Sequence, residues 1–269
     1  MSRIDAAIDD LHALDQLGAR ATPLQHLDPR ARVAVTLAFI GVVVSFERHS
    51  LAALLPLLLY PAAIAEVGGV PWRIVLRRLL PGLPFAVMVG LFNPLLEREV
   101  HVVVAGVAIS DGWLSFTSIL LRYALTMSAA LLLVATTGFH TVCAALAAWG
   151  VPRVFTNQLL FLYRYAFVLA GEAARLARAR ALRAPDAPLR LATYGSLAGQ
   201  LLLRAFDRAA RVHRAMLARG FDGEVRVLRR LAWTTRDALF LALCLAAFLL
   251  ARAIDLPHAL GALVVGSAA

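Results

Sequence analysis

The side chains that most often carry out chemistry in proteins are scattered in this sequence. It contains seven histidines, and no two of them are three or four residues apart, the spacing that places two metal ligands on one face of a helix. The two cysteines, Cys143 and Cys244, lie far apart in apolar segments, where buried small side chains are a better interpretation than a disulfide framework. We therefore expect no metal site and no bound cofactor in this chain.

Enzymatic catalysis also lacks the residues that it would need. A nucleophile requires a base beside it, and the serines and threonines of the apolar segments have no recognisable partner motif. All 27 basic residues are arginine, so no lysine is present to form a Schiff base, and no glycine-rich phosphate-binding loop occurs. We expect a protein that is not an enzyme, so that any nucleotide hydrolysis in its function must come from a partner.

Arginines at the ends of two basic helices are the remaining candidates for a functional site. The residues concerned are Ala179, Arg180 and Arg183 in the first helix and Ala218, Arg219 and Gly220 in the second. A cation in the last helical turn is stabilised by the helix dipole by about 0.3–1 kcal/mol, and this effect requires no partner. The recurrence of the ending in two neighbouring helices instead suggests two tips offered to another protein, because a guanidinium group can bind carboxylates or backbone carbonyls.

The elements that must position these tips belong to a very hydrophobic chain. Of its 269 residues 61% are hydrophobic, and the mean hydropathy is +0.74, whereas a soluble domain is about 45–50% apolar. We predict an all-α integral membrane protein, since each transmembrane helix needs about 20 mostly apolar residues. The predicted spans are about 31–46, 50–66, 79–96, 116–137 and 238–254. Segment 102–110 is too short to span as a helix, and we expect extended or re-entrant chain there.

The distribution of arginine predicts the orientation of the chain. With the N-terminus inside, 23 of the 27 arginines fall in the cytoplasmic segments 1–32, 67–78 and 139–237, as the positive-inside rule requires. The sequence therefore predicts a protein of the bacterial cytoplasmic (inner) membrane with a cytoplasmic N-terminus. Its regions are a cytoplasmic or interfacial segment at 1–30, a membrane bundle at 31–138, a cytoplasmic helical region at 139–237 and a final transmembrane helix at 238–269.

The cytoplasmic region contains two long predicted helices, at about 153–183 and 190–219. Small residues recur in the first of them and would let another helix cross closely. They include Ala166, Ala170, Ala174 and Ala177. The second helix has an apolar face and a separate arginine stripe, and we expect charge reversal at Arg204, on the helix flank, to do much less than charge reversal at Arg219. Gly220 is expected to end this helix, because glycine adopts a left-handed turn at low cost.

The stretch "GLFNPLLE" at 90–97 is the most distinctive one among the spans. Pro94 removes a backbone donor and so kinks or ends a helix, and Asn93 can satisfy a backbone group that is freed. Two interpretations fit this stretch: a helix that simply ends at the outer interface, and a hinge or contact surface against another membrane subunit.

The order of these segments resembles the transmembrane T component of energy-coupling factor (ECF) transporters, and within that family the CbiQ group of cobalt importers. The likeness covers most of the chain. It rests on "LDPRARV" before the first span, "FNP" at 92–94 and "AMLARGFDG" at 215–223, of which "MLARGF" with the arginines upstream is the most specific part.

This resemblance implies two coupling helices that cross in an X, each ending in an Ala-Arg-Gly-like motif that docks in a groove of an ABC-type ATPase. Arg219 with Ala218 and Gly220 matches the second motif, whereas Arg180 and Arg183 both fit the first, which lacks the expected glycine or serine. The implied partners are ABC-type ATPase subunits (CbiO-like), a substrate-binding membrane subunit (CbiM-like) and a small accessory membrane subunit (CbiN-like). ATP binding would move the tips and rock the bundle against the substrate-binding subunit.

Several functions remain open from the sequence. A T component for cobalt leads, and a T component of a nickel or vitamin importer is the nearest alternative. An integral membrane enzyme would need polar residues that converge within the spans. A basic membrane scaffold would bind anionic lipid or nucleic acid through its general charge, so that the position of each arginine would matter little. We expect membrane lipid around this chain and no nucleic acid.

Overall fold

The computed structural model of the chain describes residues 18, 22–46, 51–96, 100–104, 107–183, 191–223 and 232–253. Contacts divide the chain into two compact units. The bundle unit comprises residues 17–138 and 231–269, and the arm unit comprises residues 1–16 and 139–230. Most of the predicted N-terminal segment 1–30, and residues 256–269 after the last span, lie outside the described residues.

The described chain is almost entirely helical, which confirms the all-α prediction except for two short strands between residues 100 and 110. In chain order the α-helices are α1 (Pro29–Ser45), α2 (Leu51–Leu54), α3 (Leu59–Val67), α4 (Trp72–Leu79), α5 (Leu83–Leu96), α6 (Asp111–Thr137), α7 (Phe139–Ala148), α8 (Arg153–Arg183), α9 (Leu191–Ala218) and α10 (Thr235–Ala253). Short 3-10 turns occur at Pro23–His26 and Leu55–Leu58.

Helices lie in every predicted span, although two of them differ in shape from the prediction. The second span is divided into α2 and α3 by the 3-10 turn, where Pro56 removes a backbone donor. The third begins at Leu83, because Pro81 and Gly82 break the chain and α4 precedes α5 at a bend of 58°. Helix α7, by contrast, was not predicted as a separate element.

By length and composition, one helix among the described residues is long and apolar enough to cross a membrane, namely Gly112–Thr137 within α6. The bent pair α4–α5 passes the same test when its two helices are taken together. The other predicted spans are shorter or less uniformly apolar, so the number of membrane crossings stays a prediction.

Segment 100–110 corrects the all-α prediction. It forms two antiparallel strands, β1 (Val100–Val104) and β2 (Val107–Ser110), in which Val102 pairs with Ile109 and Val104 with Val107. The run of β-branched residues favours this hairpin, and pairing the two strands satisfies backbone groups that single extended chain would leave open. Of the two expectations for this segment, extended chain is therefore confirmed.

The core of the bundle unit lies where α1, α6 and α10 meet. Phe39 of α1 is fully buried and its ring lies 4.5 Å from the ring of Tyr60 and 5.4 Å from that of Phe248, measured between centroids. Leu125 of α6 packs in the same cluster. At the far ends of α1 and α10 the guanidinium of Arg252 stacks 4.8 Å from the centroid of Phe46. These contacts bring the first and last predicted spans side by side.

Gly90 allows α5 to pack closely on α6, and its replacement gives the first prediction. Replacing Gly90 with alanine would place a methyl group 2.8 Å from Cδ2 of Phe116, too close for carbon atoms, so we expect a lower melting temperature in detergent. Gly41→Ala is the matched control, because Gly41 also lies within a helix but faces open space. There the alanine gains helix propensity of up to about 1 kcal/mol without a clash. Equal melting temperatures for the two variants would contradict the close approach of α5 and α6.

Candidate functional site

The arm unit is built from α7 and the two long helices α8 and α9. Helix α7 ends at Gly150, which has φ +89°, and the amides of Gly150 and Val151 donate to carbonyls of the last turn. The chain then turns at Pro152 into α8. The stacked rings of Phe139 and Tyr163, with centroids 4.4 Å apart, hold α7 against the first half of α8.

Helix α9 ends as its sequence predicts. Gly220 has φ +76°, its amide donates to the carbonyl of Leu217, and the amide of Phe221 donates to the carbonyl of Met216, each at 3.0 Å. These two hydrogen bonds define a Schellman motif, which confirms the predicted role of Gly220. Arg219 and Ala218 are exposed at this end. The arginine therefore directly follows the last helical residue, Ala218, and its side chain faces solvent.

The two arginines at the end of α8 differ in environment. Arg183 is the last residue of the helix and is exposed, whereas Arg180 is half-buried and has an interaction partner in the chain. Ala179, beside Arg180, is exposed. The described helix continues past Arg180 for three residues, so Arg183 corresponds in position to Arg219 more closely than Arg180 does.

An ion-pair cluster joins the two long helices. The carboxylate of Glu172 in α8 accepts from Arg175 Nη2 at 2.6 Å and from Arg204 Nη1 of α9 at 2.5 Å. Hydrogen bonds from Arg175 and then from Arg204 lower the pKa of Glu172 below its ordinary value. Its side chain is only 15% exposed. Charge-assisted pairs of this kind add geometric specificity to the contact between the two helices.

This cluster was not predicted from the sequence. Arg204, which the sequence places on the flank of α9, makes the cross-helix contact with Glu172, and the effect of its replacement on docking stays a prediction. A signal was present in the sequence: Glu172 is the sole acidic residue among many arginines in 153–183. What the sequence could not supply was the register of α9 that selects Arg204 over its neighbours.

A second contact shows that the two helices run in opposite directions. Asn157 Nδ2, near the start of α8, donates to the carbonyl of Gly223, just after the end of α9, at 2.8 Å. Glu172, which comes later in the chain than Asn157, meets Arg204, which comes earlier in the chain than Gly223. The end of α9 therefore lies near the start of α8, and Arg219 and Arg183 point to opposite ends of the pair. At about 1.5 Å per residue, Arg183 lies roughly 16 Å beyond Glu172, and Arg219 roughly 22 Å beyond Arg204.

An apolar groove opens between these two contacts. Its volume is about 420 Å³, and aromatic and aliphatic side chains from both helices line it. Phe161 and Tyr165 contribute from α8, Phe206 and Met216 from α9, and Phe221 from the turn that follows. Among the described residues none of α9 is fully buried, and several of its large apolar side chains are exposed, among them Leu202, Leu203 and Phe206. Apolar surface of this extent is typical of a contact with another protein or with lipid.

The predicted helix-crossing residues differ in burial. Ala174 is buried, Ala170 and Ala177 are half-buried, and Ala166 is exposed. Asn93 and Pro94 lie in α5 and are half-buried. The helix continues through Pro94 to Leu96, two residues beyond it, so the proline lies in the last turn rather than in the middle of the helix. Within the described ranges, no three side chains of His, Cys, Asp or Glu are grouped closely enough to hold a metal ion.

Comparison with known proteins identifies similar chains. Residues 20–230 match a family described as CbiQ, cobalt transport protein. A cobalt transport protein CbiQ of Rhodobacter capsulatus is 37% identical over 98 residues, 36% of this chain and 40% of the relative. An uncharacterised protein of Methanocaldococcus jannaschii is 25% identical over 233 residues, 81% of this chain and 78% of that protein. A cobalt transport protein CbiQ of Salmonella typhimurium is 29% identical over 96 residues, 33% and 43% of the two chains. The alignments with the two CbiQ proteins thus span less than half of each relative.

The Glu172 cluster yields the second prediction. Glu172→Gln and Arg204→Gln should each loosen the crossing and broaden the distance distribution between spin labels at the exposed positions Leu182 and Ala210. The double variant should add little to either single change, because both remove the same contact. Arg211→Gln, on an exposed turn of α9, is the control and should leave the distribution unchanged.

The pH dependence of the same distance tests the charge state of Glu172. Because its pKa is lowered, the ion pairs should persist as the pH falls through the ordinary glutamate range and be lost only below it. Glu172→Gln should abolish this dependence. Loss of the contact near neutral pH would contradict the role of Glu172 as the charged link between α8 and α9. Strictly additive effects of Glu172→Gln and Arg204→Gln would contradict it as well.

Proposed function

The chain belongs to the CbiQ family of cobalt transport proteins, and on that basis we propose that it is the transmembrane T component of an ECF-type importer for a transition-metal ion. In this role it hydrolyses nothing itself. Its arm unit receives the conformational change of an ABC-type ATPase (CbiO-like), and its bundle unit transmits that change to a substrate-binding membrane subunit (CbiM-like), with a small accessory membrane subunit (CbiN-like) beside it.

The observation that carries this proposal is the pair of arginine-bearing helix ends at opposite ends of one antiparallel pair. Arg219 lies beyond the last turn of a helix that the Schellman glycine stops, and Arg183 ends the other helix; both are exposed. Two ATPase subunits of one pair would present two equivalent grooves. One tip for each groove explains why both helices end in arginine and why the tips point apart.

The cross-helix ion pairs support a mechanical role. A pair of helices can carry a displacement between partners only if the angle between them is held, and Glu172 connects them near their middle. Each tip projects about 16–22 Å beyond that contact, counted at 1.5 Å per residue. With the angle held at the crossing, a shift at one tip moves the pair as a unit rather than bending it.

Contacts in the bundle unit support the proposed topology with its N-terminus in the cytoplasm. That topology assigns the start of the first span, the end of the fourth and the start of the fifth to one face of the membrane. The corresponding residues lie together: Arg32 of α1 donates to the carbonyl of Thr136 of α6, and the amide of Asp28 donates to Asp237 of α10. The arginine distribution then selects the cytoplasm as this side.

Cobalt is the proposed cargo, because the family and the named relatives are described as cobalt transport proteins. We assign selection of the ion to the substrate-binding subunit rather than to this chain. Nickel and vitamin importers of the same transporter class are the alternatives that uptake measurements with the neighbouring subunits would detect.

Charge reversal at a tip gives the third prediction. Arg219→Glu should abolish co-purification with the ATPase subunits and reduce cobalt uptake by about tenfold or more, as expected when a central arginine contact of roughly 2 kcal/mol is lost. Arg211→Glu is the control, because it makes the same charge change two turns earlier on an exposed part of α9. It should keep both activities. Equal losses in the two variants would indicate binding by general charge and would refute docking by the tip.

The two arginines of α8 give the fourth prediction. Arg183→Glu should weaken ATPase co-purification more than Arg180→Glu, because Arg183 is exposed at the last helical position while Arg180 is half-buried. Melting temperatures of both variants separate loss of docking from loss of folding. A stronger and purely docking-specific effect of Arg180→Glu would assign the first tip to Arg180 instead.

A further inference from the structure

Two helix ends next to the points where the chain passes between the units lie at one cluster of buried polar groups in the bundle unit. The chain leaves this unit after Gly138, directly beyond α6, and returns at Leu231, just before α10. The last turn of α6 and the first turn of α10 are therefore the parts of the bundle that a displacement of the arm unit reaches first along the chain.

Asp237 fixes the start of α10. Its Oδ2 accepts from the amide of Thr234 at 2.8 Å and from the hydroxyl of Thr234 at 2.6 Å, in the manner of a capping box. Its Oδ1 accepts from the amide of Asp28 at 2.6 Å. One carboxylate, only 1% exposed, thus joins the first turn of α10 to the residue that caps α1.

Arg32 fixes the end of α6. Its side chain is 5% exposed, and Nη1 donates to the carbonyl of Thr136, one of the carbonyls that a helix end leaves without an intrahelical partner. The backbone of Arg32 is held in turn, since Thr36 donates to its carbonyl at 2.9 Å and lies 3.1 Å from the hydroxyl of Tyr60. The guanidinium therefore reaches α6 from a rigid first turn of α1.

Asp28 completes the cluster from the other side of the same turn. Its side chain accepts from the amide of Arg30 at 2.8 Å and so caps α1, while Pro29 supplies the preset first position of the helix. The first turn of α1 consequently holds both the end of α6 and the start of α10. In the sequence this turn is "LDPRAR", a stretch that the tip-docking mechanism does not use.

We propose that Asp28, Arg32 and Asp237 form a positioning anchor that keeps the end of α6 and the start of α10 fixed relative to each other. The inference rests on the proposed coupling function. With the anchor intact, a movement of the arm unit displaces α6 and α10 together with α1. Without it, the same movement is absorbed by fraying or sliding of the two helix ends, and ATP hydrolysis proceeds without transport.

Polar groups suit this task better than apolar ones. A buried ionic cluster contributes less to stability than well-packed hydrophobic residues would, but directional hydrogen bonds allow only one register of the helices that they join. Stability in this region comes from the aromatic packing of Phe39, Tyr60 and Phe248, which the cluster does not include. The position of the two helix ends is what the cluster adds.

The test uses the complete transporter with its ATPase and substrate-binding subunits in proteoliposomes. Asp237→Ala should leave ATPase co-purification and ATP hydrolysis within about twofold of the wild type, yet reduce cobalt uptake by about tenfold or more, within the range of typical coupling free energies. Arg32→Gln should do the same. Tyr123→Phe is the matched control, because it removes a 2.7 Å hydrogen bond to the carbonyl of Leu79 in the same unit but away from these helix ends. Its uptake should stay near the wild-type value.

The conservative variant Asp237→Asn keeps the test decisive if Asp237→Ala does not fold. Its amide oxygen can still accept from Asp28, but its amide nitrogen cannot accept from Thr234, so uptake should be intermediate while ATPase binding is retained. Unchanged uptake in the folded variants would overturn the anchor, and so would loss of ATPase binding in parallel with uptake. Failure of the proposed function looks different, since the wild-type chain would then bind no ATPase.

Discussion

In a chain that is mostly apolar, the backbone groups at helix ends must find partners within the chain, and this constraint organises the structure. Asp28 and Asp237 cap the starts of α1 and α10, and Arg32 meets a carbonyl at the end of α6. Gly69, Gly150 and Gly220 end three helices with the same pair of backbone hydrogen bonds. Several of the polar contacts that join elements within the described part of the chain are therefore contacts of helix ends.

This constraint also explains how the proposed docking tip can be built from so few residues. A helix that stops abruptly at a glycine holds its last side chain in a fixed direction, whereas a frayed end would not. Arg219 gains from this arrangement without any dedicated support, and its charge also suits the negative end of the helix dipole. At the end of α8 the same charge preference is met twice, by Arg180 and Arg183, and burial rather than sequence distinguishes them.

Helix bounds that depend on local sequence pattern were predicted, whereas contacts that depend on the register between distant helices were not. The range 153–183 for α8, and the end of α9 at Gly220, follow from composition and turn chemistry, and both are confirmed. The pairing of Glu172 with Arg204, and of Asp28 with Asp237, joins residues 32 and 209 positions apart, and no periodicity encodes such a distance. For segment 102–110 the sequence predicted extended or re-entrant chain, but not the pairing of two strands with each other, which again depends on register.

The two groups of charged residues serve different purposes because their surroundings differ. In the arm unit Arg204 is exposed, so its bond to Glu172 competes with water and adds little stability, although it fixes which residues of α8 and α9 meet. In the bundle unit Asp237 and Arg32 are buried, and breaking their bonds would leave buried polar groups unsatisfied, at a cost of about 1–3 kcal/mol or more each. The proposed coupling function needs both kinds of contact. The contact in the arm unit holds the angle between α8 and α9 as they move, and the buried contacts in the bundle unit make α1, α6 and α10 move together.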